Sequence, residues 1–172
     1  YSAIAAAVGS LKGPKHGGAN RQVLAQFSLI KQTVRDWKDD DAVADCVGRI
    51  LRRELGDGSG LIYGMGHAVY TLSDPRTVIL RKSARTLAAQ RGMLDELELM
   101  EAVERVTPRV FAEITGHEKV MCANVDMYSG LIYQMLDIPP DLFTPLFAVA
   151  RITGWCAHRM EEVLTGGRLY RP

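Results

Sequence analysis

A chain of 172 residues carrying 21 basic against 20 acidic side chains is sized for one domain or slightly more. Its near-zero net charge excludes a nucleic-acid surface built on bulk charge and leaves only a local basic patch open. Apolar residues make up 47% of the chain, enough for a real core, yet no apolar run approaches the roughly 20 residues that a bilayer span needs.

Helical periodicity dominates in chain order. Residues 1–11 read as the end of an Ala-rich helix, broken at Gly13-Pro14. This apolar start lacks a basic leader and an initiator Met, and is expected as a helix opened mid-protein, not a signal peptide. Residues 19–36 place Val23, Leu24, Phe27 and Ile30 on one helix face. Asp39-Asp40-Asp41 opens a further amphipathic helix carrying Val43, Cys46, Val47, Ile50 and Leu51, with acids at the positive end of its dipole. Gly56 to Gly60 is a loop, and Leu61-Ile62-Tyr63 a short β-like run. Ser73-Asp74-Pro75 starts a helix that reaches about Gln90 and stops at Gly92. Residues 94–115 are helical, with Pro108 as a kink or break. Residues 124–136 form another helix, Pro139-Pro140 breaks the chain, and 141–164 read as a long apolar helix stopped by Gly166-Gly167. Residues 168–172 are an extended tail. The class is all-α. Cys46, Cys122 and Cys156 are odd in number, lack paired metal-ligand spacing, and are expected as thiols of a reducing cytoplasm.

Three segments carry the chemistry: Gly-Pro-Lys-His-Gly-Gly-Ala-Asn at 13–20, Gly-Met-Gly-His at 64–67 and Asn-Val-Asp-Met-Tyr-Ser-Gly at 124–130. Each sets an ionisable group, His16, His67 or Asp126, beside glycines, a small polar residue or both, and glycine lets backbone approach a ligand closely. Two imidazoles and a carboxylate suffice to remove a proton next to a carbonyl and hold the resulting charge. Singly, each has an ordinary alternative. His16 can cap a helix, Asp126 can be an N-cap, and Gly-X-Gly before His67 is a weak anion nest without the third glycine of a dinucleotide fingerprint.

Together with Gly-Met-Gly-His-Ala-Val-Tyr…Asp-Pro-Arg and Pro-Pro-Asp-Leu-Phe-Thr-Pro-Leu-Phe-Ala-Val-Ala-Arg, these stretches resemble, in order and separation, the C-terminal part of the citrate synthase family. The resemblance covers essentially the whole chain. It implies a citrate-synthase-like fold: residues 1–18 end a large-domain segment, 19–135 form the small helical domain, and 136–172 return to the large domain. It implies an acyltransferase of the tricarboxylic acid cycle, which joins acetyl-CoA to oxaloacetate and then hydrolyses the citryl thioester. Asp126 is then the base, His16 the enol stabiliser and His67 the group that polarises the oxaloacetate carbonyl. Arg76 and Arg151 match the family's substrate arginines, suited to gripping carboxylates in a planar fork. Arg171 resembles the arginine that reaches the partner site of a homodimer. Leu61, Ile62, Tyr63, Gly64, Met65 and Gly66 resemble the loop that accepts the adenine end of coenzyme A. Lys119 and Asn124 are assigned to the same cofactor region.

No metal and no tightly bound cofactor are implied; the coenzyme A thioester is a co-substrate. Nucleic-acid and membrane partners are not expected, and the location is cytoplasmic. The alternatives are a 2-methylcitrate synthase using propionyl-CoA and a non-catalytic helical ligand-binding or regulatory module. Without the remaining large-domain structure the 172 residues are expected to be inactive alone. Two departures from the family pattern stand near the site. Lys15, where an apolar residue is usual, favours a neutral His16 ring. Met121-Cys122-Ala123 replaces a Pro-containing approach to Asp126.

Overall fold

Local chemistry explains several of the helix ends. In a computed structural model describing residues 1–12, 18–70, 72–117 and 121–166, the helices are α1 (Ser2–Leu11), α2 (Ala19–Thr33), α3 (Asp40–Leu51), α4 (Pro75–Arg91), α5 (Leu94–Thr115), α6 (Asp126–Met135) and α7 (Phe143–Thr165), the last preceded by a 3-10 turn at Pro140–Leu142. Asp39 caps α3 by accepting hydrogen bonds from the Asp41 and Ala42 amides at 2.9 and 3.3 Å. Asp74 caps α4, and Pro75 takes the first turn, where a missing N–H costs nothing. Gly92, Gly116 and Gly166 close α4, α5 and α7 in the left-handed conformation.

Two expectations differ from the structure. Pro108 does not break its helix: α5 runs unbroken from Leu94 to Thr115. Buried residues on both sides, including Leu97, Val103, Val106 and Val110, hold it against the lost backbone bond. Leu61-Ile62-Tyr63 forms no strand; only an isolated antiparallel bridge joins Met65 to Ala123. Gly60, Gly64 and Gly66 all have positive φ, at 71°, 86° and 88°. The backbone therefore turns too often for a ladder to extend.

The chain divides into two units. Residues 19–140 form one, in which α2 to α6 enclose a core of Val23, Ile30, Val43, Val47, Leu97, Leu99, Val103, Met127, Tyr128 and Leu131, all at most 2% exposed. Burying each large apolar side chain is worth about 1.5–3 kcal/mol. Residues 1–18 and 141–172 form the other unit, where α1 packs on α7. In this unit Val149, Ile152, Met160, Val163 and Leu164 of α7 stay exposed.

Candidate active site

The second and third motifs meet in the 19–140 unit, joined by backbone. Gly66 N–H donates to Cys122 O, and Asn124 N–H to Gly64 O, both at 2.8 Å. The Asn124 side chain tightens the join. Its Nδ2 donates to Gly66 O at 2.9 Å, and its Oδ1 accepts the Asp126 amide at 3.0 Å. Asn124 therefore ties the 64–66 loop to the start of α6. Asp126 is not the N-cap; it is the first helical residue, where the helix dipole favours a carboxylate.

His67 is oriented by the loop that follows it. The Val69 and Tyr70 amides both donate to Nδ1 at 3.0 Å. Backbone N–H groups only donate, so this network assigns the ring proton to Nε2. Arg76 Nη2 lies 3.3 Å from that Nε2. Both are then donors, and one acceptor oxygen can satisfy the two together. The Tyr70 ring flanks the pair, with its centroid 4.8 Å from that of His67 and 5.8 Å from the Arg76 guanidinium carbon.

Asp74 holds Arg76. Its Oδ1 accepts from Nε at 3.0 Å and its Oδ2 from Nη2 at 2.7 Å. The Asp74 side chain is fully buried, while that of Arg76 is 40% exposed. The Arg76 hydrogen bond keeps the Asp74 carboxyl below the usual carboxylate range against the opposing effect of burial. The same bond raises Arg76 above its ordinary value, and the Asp126 charge acts in that direction too. The Asp126 carboxylate, the His67 ring and the Arg76 guanidinium thus share one electrostatic neighbourhood.

The segment 61–66 borders this cluster. Leu61 is exposed, Ile62 is buried in the core, and Tyr63 and Met65 are partly buried. Tyr63 Oη donates to Asp57 Oδ2 at 2.5 Å. The hydrogen bond from the Ser59 side chain, then that from Tyr63 and the Ser59 amide, pull the Asp57 carboxyl down to about 2. Arg151 belongs to the other unit, where its guanidinium stacks 4.7 Å from the Phe147 ring. His16, Lys119 and Arg171 lie outside the described residues. Sequence reasoning assigned no site role to Tyr70 or Asp74, although both fall inside the quoted Gly-Met-Gly-His…Asp-Pro-Arg stretch. Among the described residues no group of three His, Cys, Asp or Glu could hold a metal, and no helix is long and apolar enough to cross a membrane.

The family description "Citrate synthase, C-terminal domain" matches residues 1–172. A citrate synthase of Synechocystis is 42% identical over the whole chain, which covers 39% of that protein. A 2-methylcitrate synthase of Shewanella oneidensis is 35% identical, with 40% of it covered. The ternary complex of carboxymethyl coenzyme A and oxaloacetate with citrate synthase from Thermoplasma acidophilum superposes with a TM-score of 0.75 at 31% identity, over 98% of this chain and 41% of that one. The chain thus spans about two-fifths of the length of these relatives. The chain belongs to the citrate synthase family.

Proposed function

We propose that this chain carries the catalytic half-site of a citrate synthase, which condenses acetyl-CoA with oxaloacetate. The observation that carries the reading is the pair of donors, His67 Nε2 and Arg76 Nη2, 3.3 Å apart and tied to Asp126 through Asn124. Asp126 takes a proton from the thioester methyl group, and His16 donates a hydrogen bond to the enol oxygen as it forms. The enol carbon attacks the oxaloacetate carbonyl. His67 stabilises the charge that develops on that oxygen, because a fixed donor needs no reorganisation. Water then cleaves the citryl thioester and releases coenzyme A.

Asp74 occupies the Nε–Nη2 edge of Arg76, so a substrate carboxylate takes the Nη1–Nη2 edge. Arg151 grips the second carboxylate, and Arg171 completes the partner's site in a homodimer. Segment 61–66 with Lys119 receives the coenzyme A nucleotide, and Asn124 serves by aligning segment 61–66 with Asp126. The 19–140 unit corresponds to the small domain and the other unit to part of the large domain. The reaction is a cytoplasmic step of the tricarboxylic acid cycle, and the 172 residues alone lack part of the catalyst.

The second reading is a 2-methylcitrate synthase, favoured by relatives of that name at 35% and 38% identity. Rates of the full-length enzyme with acetyl-CoA and propionyl-CoA decide, since one methylene discriminates by about 10–200-fold. Preference for acetyl-CoA is expected. Preference for propionyl-CoA selects the second reading, and no turnover with either selects a non-catalytic module.

A further inference from the structure

Gln26 is a polar residue at a core position. It sits on α2 among Val23, Phe27 and Ile30 and is only 7% exposed. Both ends of its side-chain amide bind the backbone of a segment more than 30 residues away. Nε2 donates to Leu61 O at 2.9 Å, and Oε1 accepts Tyr63 N–H at 3.0 Å. A neighbouring strand offers the same pair of bonds to residues i and i+2. Here one side chain supplies them, in a stretch where no strand forms.

The rest of the segment is held at its two ends. Ser59 Oγ accepts Leu61 N–H at 3.2 Å, and residues 122–124 take Gly64 and Gly66. Gln26 fixes the middle, between the positive-φ glycines at 60 and 64. Its helix also braces the third motif. A Cβ on Gly130 of α6 would stand 2.9 Å from Leu24 Cγ and 3.1 Å from Asn20 O, so α2 and α6 are in close contact there.

We infer that Gln26 is a positioning residue for acyl-CoA: its amide holds the 61–63 backbone in the form that receives the nucleotide end. The inference rests on the assignment of segment 61–66 to coenzyme A in the proposed function. His67 and Arg76 are held separately, by the 69–70 amides and by Asp74. Oxaloacetate binding is therefore expected to be insensitive to Gln26.

The test is steady-state kinetics on the full-length enzyme. Gln26→Met keeps the length and removes both hydrogen bonds. It should raise the KM for acetyl-CoA about tenfold, roughly the worth of one or two net hydrogen bonds. kcat and the KM for oxaloacetate should stay within about twofold. Gln26→Asn keeps the amide but is one methylene too short to reach both groups, and should show the same selectivity more weakly. It carries the test if the Met variant does not fold. An unchanged acetyl-CoA KM, equal losses for both substrates, or a loss confined to kcat overturns the inference while the wild type still makes citrate. A wild type that makes no citrate from acetyl-CoA overturns the functional reading first, and the inference with it.

Discussion

A Cβ placed on Gly64 would stand 2.8 Å from Met127 Sδ and 2.9 Å from Met127 Cα. The loop that carries His67 therefore crosses the first turn of the Asp126 helix with no room for a side chain. Gly64 also has φ of 86°, a conformation that residues with a Cβ rarely adopt. Gly64→Ala should destabilise the protein by at least about 2 kcal/mol, from strain together with a clash against backbone that cannot move aside. In the full-length enzyme it should also lower kcat by about 100-fold, the usual cost of a 1 Å misplacement. Gly66→Ala is the control. Gly66 has φ of 88°, but nothing lies within 4 Å of its Cβ position, so it should show the strain without the clash. Urea unfolding of the two variants checks the order; equal losses would count against the crossing.

Asp126 stands at the first position of α6 with its amide bound to Asn124. Asp126→Asn preserves shape and removes basicity. Turnover of the full-length enzyme should fall at least about 100-fold, the lower end of what a positioned acid or base contributes. Substrate binding should change little, because the variant keeps the Asn124 bond and the loop contacts. Near-normal turnover would remove Asp126 from the role of base.

The elements most legible in the sequence are those whose cause is local. Asp39, Asp74-Pro75 and Gly92 act within one turn of themselves, and the helix ends they set follow from the chain read in order. The chemistry-bearing motifs were legible for a related reason, since each is a short run that sets His16, His67 or Asp126 among glycines or small polar residues. What was not legible depends on partners far along the chain. Pro108 looks like a breaker until the packing of α5 on α3 is known. Leu61-Ile62-Tyr63 looks like a strand until Gln26 supplies the bonds a strand would have made. Asp74 was visible as a helix cap, but its grip on Arg76 needs the guanidinium to fold back over two residues, and no periodicity reports that.

Arg76 and Asp74 share a bidentate pair in which the carboxylate is fully buried. Arg76→Lys keeps the charge and loses the planar fork. The KM for oxaloacetate should rise at least about tenfold, with a smaller change for acetyl-CoA. Asp74→Asn should move oxaloacetate binding in the same direction, because it releases the edge that aims Arg76 at His67. Equal losses for both substrates in Arg76→Lys would place the arginine elsewhere in the reaction.

Tyr128, two residues after Asp126 and fully buried, donates its hydroxyl to Glu104 Oε2 of α5. Arg81 Nη1 of α4 reaches the same oxygen at 3.5 Å. One carboxylate thus ties the helix of Arg76 to the helix of Asp126. Tyr128→Phe should cost about 1.5 kcal/mol at neutral pH, the low end for a hydrogen bond to a charged group, because Glu104 is partly exposed and keeps Arg81. Burial, and then the Glu104 carboxylate, push the Tyr128 hydroxyl well above the usual tyrosine range. A group whose pKa is raised on folding stabilises the fold below its unfolded value, near 10 for tyrosine, and that contribution is lost as pH rises beyond it. In this alkaline window the unfolded state has released a proton that the folded state still holds. The wild type should therefore lose its advantage over Tyr128→Phe by about 1.4 kcal/mol per pH unit above pH ~10. Urea unfolding of both proteins at pH 8, 10 and 11 measures it. A difference that stays constant with pH would mean that Tyr128 ionises as freely in the folded chain as in the unfolded one.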